Sequence, residues 1–303
     1  MPSTIAILGP GGVGGFVAAA LVRADEDVLV VAQATTSDLI ARDGIELRSV
    51  RLGDFVARPR TSESLTEPAE TLIVATKAGG LRASLERIEA APALVVPLLN
   101  GLDHIELLRT RFGADRVAAG TIRIESDRPA PGRIVQRSPF LRIDLAADDP
   151  ALRPALERLA DRLRAAEIPV AIGPSEAQIL WSKLVRLNAL ACTTSATDRP
   201  IGFIRTDPEW RPVLKACLDE TAAVANADGA EIVAEEPLAE LDAAHTGLGS
   251  SMQRDIAAGR EPELDAIPGA VLRAAARHGL ECPTIERLVA VIADRAGRPA
   301  PTC

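Results

Sequence analysis

Aromatic side chains are nearly missing from this chain: 5 Phe, 2 Trp and no Tyr, or 2% of 303 residues. A base-stacking surface cannot be built from so few. Positive charge is also in deficit, with 34 Lys and Arg against 42 Asp and Glu and a net charge of −8. Such a chain gains little at a phosphate backbone or an anionic lipid surface, so neither nucleic acid nor membrane is expected as a partner. No apolar run reaches the roughly 18 residues of a transmembrane candidate. The start "MPSTIAILG" has no basic segment ahead of its apolar stretch and predicts no signal peptide. His104, His245 and His278 lack metal-ligand spacing, so no metal site is expected. Cys192, Cys217, Cys282 and Cys303 are far apart and form no CxxC pair. They read as reduced, mostly structural thiols in a cytoplasmic protein.

What is present is aliphatic. Apolar residues make up 47% of the chain, enough over this length for two domains with cores of their own. The first half alternates short apolar runs, "TIAILG" (4–9), "VLVVA" (28–32), "ETLIVATK" (70–77) and "ALVVPLLN" (93–100), with helical patterns such as "FVAAALVRA" and "LRASLERIEAA". That alternation predicts a doubly wound parallel sheet of the Rossmann type, covered on both faces. Segments 45–57 and 117–145, broken by Pro and Gly, read as antiparallel additions or edge strands. A helix over 150–166 and a strand over 169–173 close this half. From Pro174 onward no strand pattern remains, and helices are expected over 175–196, 207–228, 236–258, 263–279 and 284–295. The expected domains are therefore 1–173, Rossmann, and 174–303, all helical, with a frayed tail "GRPAPTC".

"GPGGVGG" sets Gly9, Gly11 and Gly14 in G-x-G-x-x-G spacing between the first strand and the first helix. Glycine permits the tight turn, lets backbone N–H groups approach a pyrophosphate, and allows close helix–strand packing at a helix N-terminus that favours an anion. Gly9, Pro10, Gly11, Gly12, Val13 and Gly14 are thus the candidate dinucleotide cradle. An NAD site usually carries an acid at the end of the second strand. Gln33 stands there instead, with no arginine to greet a 2′-phosphate, and Lys77 is the nearest candidate cation or else a solvated lysine. Residue chemistry alone leaves the choice of cofactor open.

Asn100 precedes Gly101 at the end of an apolar strand, where a ligand loop and a simple turn carry similar weight. In "WSKLVRLNALACTT" (181–194), Lys183 is either a snorkelling lysine or a general acid. At about 100° per residue, Lys183, Leu187, Leu190 and Thr194 share one helix stripe, whereas Asn188 lies about 140° from Lys183. Further on, Ser250 and Ser251 can cap a helix that Gly259 ends, Pro262 is placed like a first helical residue, and Glu263 falls in that helix's first turn.

In order and spacing, "ILGPGGVGG", "VATKA", "PLLNGL", "WSKL", "SSMQRDIAAGREPELD" and "GLECP" together resemble the ketopantoate reductase family over nearly the whole chain. The resemblance implies a Rossmann domain followed by a helical domain, an active site in the cleft between them, and NADPH-dependent reduction of 2-dehydropantoate to pantoate, a step of pantothenate biosynthesis. By the same resemblance Lys183 matches the catalytic lysine, Glu263 the active-site glutamate, Asn100 the cleft asparagine and Ser251 a substrate-binding serine. Asn100 and Glu263 count as cofactor contacts as well. Two asparagines typical of the family, four and eight residues after the lysine, are here Leu187 and Ala191, leaving Thr194 and Ser250 as polar candidates for that pocket. Gln33 replaces an arginine common at the 2′-phosphate, and Pro268 an asparagine before Gly269. The cofactor expected is NADP, with NAD possible, and the partner is a small 2-keto acid, with a homodimer possible. Two alternatives stay open: the same chemistry on a more apolar 2-keto acid, and a dinucleotide-binding sensor without catalysis.

Overall fold

A computed structural model describes residues 3–301, and Cys303 lies outside that range. The chain forms two compact units, residues 1–99 with 104–179, and residues 100–103 with 180–303.

In chain order the first unit contains β1 (Ile5–Leu8), α1 (Gly12–Arg23), β2 (Val28–Val31), α2 (Ala34–Asp43), β3 (Ile45–Ser49), β4 (Phe55–Ala57), β5 (Arg60–Ser62), β6 (Thr71–Val74), α3 (Leu81–Leu85), β7 (Leu94–Pro97), α4 (His104–Phe112), β8 (Ala119–Ala130), β9 (Arg133–Ala146), α5 (Arg153–Ala165) and β10 (Val170–Ile172). Five strands form a parallel sheet in the order β5-β2-β1-β6-β7, which reverses at β1 as a doubly wound sheet does. The strands β1, β6 and β7 are buried along their length, which explains why "IAIL", "TLIV" and "LVVP" are unbroken apolar runs.

Segments 45–57 and 117–145 build a second sheet, β10-β9-β3-β4, with β8 paired to β9. The β3–β4 and β8–β9 pairs are antiparallel as expected, but β3 and β10 both run parallel to β9. The 169–173 strand therefore belongs to this second sheet. Helix α1 is packed between the sheets, and Phe16 through Leu21 are wholly buried against residues of both. Three consecutive alanines, Ala18 to Ala20, keep that helix thin enough to fit.

Helix α6 (Glu176–Thr197) leads into the second unit, which continues with α7 (Ile201–Ile204), α8 (Trp210–Ala227), α9 (Glu235–Ala243), α10 (Ser251–Ala257), α11 (Ala270–His278) and α12 (Pro283–Ala296). The described residues of this unit contain no strand. The single helix expected over 236–258 is two, because "AHTGLGS" (244–250) turns the chain between α9 and α10. The Glu220 carboxylate caps α12, accepting from the backbone N–H groups of Thr284 and Ile285 at 2.9 and 3.0 Å.

Pro262 does not begin a helix; residues 260–263 are irregular. A π-helical turn, Asp265–Gly269, follows and runs into α11. Its cause is Pro268. Proline has no N–H for the Leu264 carbonyl, so that carbonyl accepts from Gly269 one residue further on, at 3.1 Å. Among the described residues no helix is long and apolar enough to cross a membrane, and no cluster of His, Cys, Asp and Glu could hold a metal.

Candidate active site

The glycine turn sits where β1 ends and α1 begins. Gly9 has φ +92°, and a Cβ on Gly14 would lie 2.2 Å from the Gly9 carbonyl oxygen, so neither position accepts a side chain. Gly11 is different: a Cβ there would approach nothing closer than 3.9 Å. It is the N-cap of α1 and offers no side-chain cap, and no acid lies in the first turn. The leading N–H groups of the helix are thus left to an anion, the arrangement that takes a dinucleotide pyrophosphate. Gly12 has a separate task, since a Cβ would lie 2.4 Å from the Ser126 carbonyl oxygen of β8. The Ser126 hydroxyl donates to the Gly12 carbonyl at 2.9 Å, tying the second sheet to this turn. Pro10 is buried and Val13 half-buried.

Gln33 follows β2, exposed, as the N-cap residue of α2 with no side-chain cap bond. Lys77 is exposed too. Strand β6 stops at Val74, so Lys77 lies in the loop beyond the strand rather than at its last position.

The second unit brings two of the candidate residues together across 163 positions: Asn100 Nδ2 donates to Glu263 Oε2 at 2.8 Å. Both are half-buried and both lie in irregular segments. Gly101, with φ +87°, seats its backbone on the π-helical turn, where a Cβ would come within 2.0 Å of the Ala266 carbonyl oxygen. The Arg273 guanidinium reaches both segments. It donates to Asp103 Oδ2 from Nε and Nη2 (3.2 and 2.6 Å) and to Asp265 Oδ1 from Nη1 (2.7 Å). Nη2 also donates to the Asp265 carbonyl at 2.9 Å. Sequence reasoning singled out none of Arg273, Asp103 and Asp265, for no spacing rule links the three.

Lys183 is half-buried two turns into α6. Trp181, just before it, is 1% exposed and donates its indole N–H to Asp228 Oδ2 at 2.9 Å, while His278 Nε2 lies 2.8 Å from the other oxygen. Burial pushes the Asp228 carboxyl up, but the bonds from His278 and Trp181, with Arg277 nearby, hold it below the ordinary aspartate value. This anchored indole fixes the turn that carries Lys183.

In the turns of α6 beyond Lys183, Leu187 is half-buried and Ala191 fully buried. Asn188 points into the helix packing instead: at 0% exposure it donates to Thr221 Oγ1 at 2.9 Å and accepts from the Cys192 thiol at 3.4 Å. Thr194 and Ser250 are also buried, with their hydroxyl oxygens 2.9 Å apart. Thr194 further donates to the Leu190 carbonyl at 2.6 Å, and Ser250 caps α10 by accepting from Gln253 N–H at 3.0 Å. The donor of each of these two hydroxyls is used inside the unit. Ser251, the first residue of α10, is exposed. The three described cysteines are buried, and burial raises the Cys282 thiol to about 11.

A doubly wound sheet with a glycine turn at β1, joined to a helical unit carrying Lys183, Asn100 and Glu263, defines a dinucleotide-dependent oxidoreductase. Comparison with known proteins gives the particular family. The family described as ketopantoate reductase PanE/ApbA matches residues 5–147, and its C-terminal part matches residues 177–296, so the chain belongs to the ketopantoate reductase family. A 2-dehydropantoate 2-reductase of Mycobacterium tuberculosis is 30% identical over 99% of this chain and 100% of its own. One of Caulobacter vibrioides is 29% identical over 96% and 98%. The crystal structure of a 2-dehydropantoate 2-reductase from Geobacter metallireducens superposes with a TM-score of 0.88 at 26% identity, covering 96% of this chain and 99% of that one.

Proposed function

We propose that this enzyme reduces 2-dehydropantoate to pantoate with NADPH. The domain 1–173 would hold the dinucleotide, and 174–303 the keto acid, with Asn100 contributed from earlier in the chain. The observation that carries the reading is the Asn100–Glu263 hydrogen bond, formed within the unit that also bears Lys183.

The glycine turn fits the cofactor, because the space a Cβ would fill is kept clear at Gly11 and the N–H groups of α1 carry no side-chain cap. Gly9 to Gly14 would hold the pyrophosphate, with Gln33 and Lys77 near the adenosine 2′-phosphate. A nicotinamide dinucleotide held there would supply the hydride that the reduction needs. Lys183 donates a proton to the ketone oxygen as negative charge develops there, so carbonyl plus hydride plus proton gives the 2-hydroxy acid. Glu263 orients Asn100 and keeps an amide N–H and carbonyl directed at ligand, and Ser251, exposed on α10, binds the substrate's polar end. Thr194 and Ser250 support this wall from behind.

A second reading, a more apolar 2-keto acid, is favoured by one observation. The stripe beyond Lys183 presents Leu187, while Asn188, Thr194 and Ser250 spend their polar groups on other partners. A steady-state screen of 2-keto acids, each with NADPH and NADH, separates the two. We expect the highest kcat/KM for 2-dehydropantoate with NADPH. A higher value for 2-ketoisovalerate would establish the second reading, and no turnover of any 2-keto acid would overturn both.

A further inference from the structure

The Asn100–Glu263 hydrogen bond joins two segments that have no ladder or helix to fix their register: residues 100–103 are bends and a turn, and residues 260–263 are irregular. Something else must set the relative position of the two side chains. Gly101 packed on the Ala266 carbonyl sets how closely the segments approach. It does not stop one from rotating about the other. Only a contact away from that point does.

We infer that Arg273 is the positioning residue that holds Asn100 against Glu263. Its guanidinium bonds Asp103, three residues after Asn100, and both the carboxylate and the carbonyl of Asp265, two residues after Glu263. A planar fork that bonds two segments fixes their orientation as well as their distance, which a lysine ammonium cannot do. Its base is rigid, because Arg273 lies in the first turn of α11, directly continuous with the π-helical turn. Stability is a poor explanation for the cluster. Arg273 is 24% exposed but the Asp103 and Asp265 side chains are 48% and 75% exposed, and ion pairs open to water on their acidic side add little to folding. Orientation is what remains.

The kinetic part of this inference rests on the reductase reading; the structural part does not. Arg273→Ala should lower kcat by between about tenfold and a hundredfold, as a small misplacement of site groups does, while barely moving Tm. Arg273→Lys should recover only part of that loss. In an Asn100→Ala background, Arg273→Ala should cost nothing further, because the residue acts through Asn100. Additive losses, or a fall in Tm with unchanged kcat, would overturn the inference. A crystal structure of Arg273→Ala decides it without any substrate. We expect Asn100 Nδ2 to have left Glu263, and finding the hydrogen bond intact would overturn the inference whichever keto acid the enzyme reduces.

Discussion

Two glycine turns, each after a strand of the parallel sheet, make an instructive pair. Gly9 follows β1 and Gly101 follows β7, both with positive φ and both pressed against another backbone segment. In the first turn the proposed binding groups are backbone N–H groups, and glycines at fixed spacing are what such a turn requires. In the second, the glycine only brings in its neighbour, and the proposed binding groups are the Asn100 side chain and the glutamate it bonds 163 positions away. A site made of backbone leaves its pattern in a few consecutive residues. A site made of side chains leaves it in the tertiary fold.

Legibility follows this division. The parallel sheet was readable because its strands are buried on both faces and are apolar without interruption. Strand β5 was missed since "RTS" is a polar edge strand with no apolar signal, and α2 was missed because only Ser37 and Ile40 of its ten residues are buried. Apolar spacing ran on across Gly247 and Gly249, so α9 and α10 merged into one expected helix. The postponed start of the helix after Pro262 could not be foreseen from Pro262 at all, for its cause is Pro268. For the site, the glycine turn is legible from the residues alone. The roles proposed for Lys183, Asn100, Ser251 and Glu263 rest on resemblance to a family, and spacing offers no substitute.

The largest test falls on the side-chain region. Lys183→Ala should lower kcat by about 10²–10⁴-fold, the usual worth of a positioned general acid, with folding and dinucleotide binding nearly intact. Circular dichroism, a dinucleotide titration and steady-state rates together check this. Unchanged specific activity in a partly unfolded preparation would make the lysine structural.

The two turns can be separated directly with ADP-ribose 2′-phosphate, which carries the pyrophosphate but no nicotinamide. Gly14→Ala drives a methyl group into the Gly9 carbonyl, a clash worth several kcal/mol, on the order of the larger core substitutions. It should abolish binding of this probe. Gly101→Ala should leave probe binding within about threefold while turnover collapses, because the pyrophosphate contacts proposed here all lie in residues 9–14. Calorimetric titration gives both answers, and equal losses for the two variants would erase the distinction drawn between them.

A smaller effect belongs to the wall beyond Lys183. A substrate hydroxyl left without a partner in a desolvated pocket costs about 1–3 kcal/mol. Leu187→Asn with Ala191→Asn should therefore raise kcat/KM for 2-dehydropantoate and lower it for 2-ketoisovalerate. The comparison is made at matched folded fraction, since Ala191 is fully buried and an asparagine there carries its own cost. If the native enzyme already prefers 2-dehydropantoate strongly, its polar contacts come from Ser251 rather than from α6.

The smallest effect sharpens the backbone side. The pyrophosphate cradle does not distinguish the two nicotinamide cofactors; discrimination needs a side chain at the end of β2. Gln33 is exposed there, heads α2 and carries no charge. It neither repels a 2′-phosphate, as an acid would, nor pairs with it. NADPH should thus be preferred over NADH only moderately, through Lys77. Gln33→Arg adds one charge-assisted contact in water, where the gain is modest, and should tighten NADPH by up to about tenfold. NADH should be unaffected because it has no phosphate for the new guanidinium to meet. Fluorescence titration of each reduced dinucleotide measures the two constants. Equal gains for both cofactors would mean that position 33 does not face the 2′-phosphate and that the selecting side chain lies elsewhere in the first unit. Raising the salt concentration should shrink the NADPH gain alone, since only that gain is Coulombic in origin.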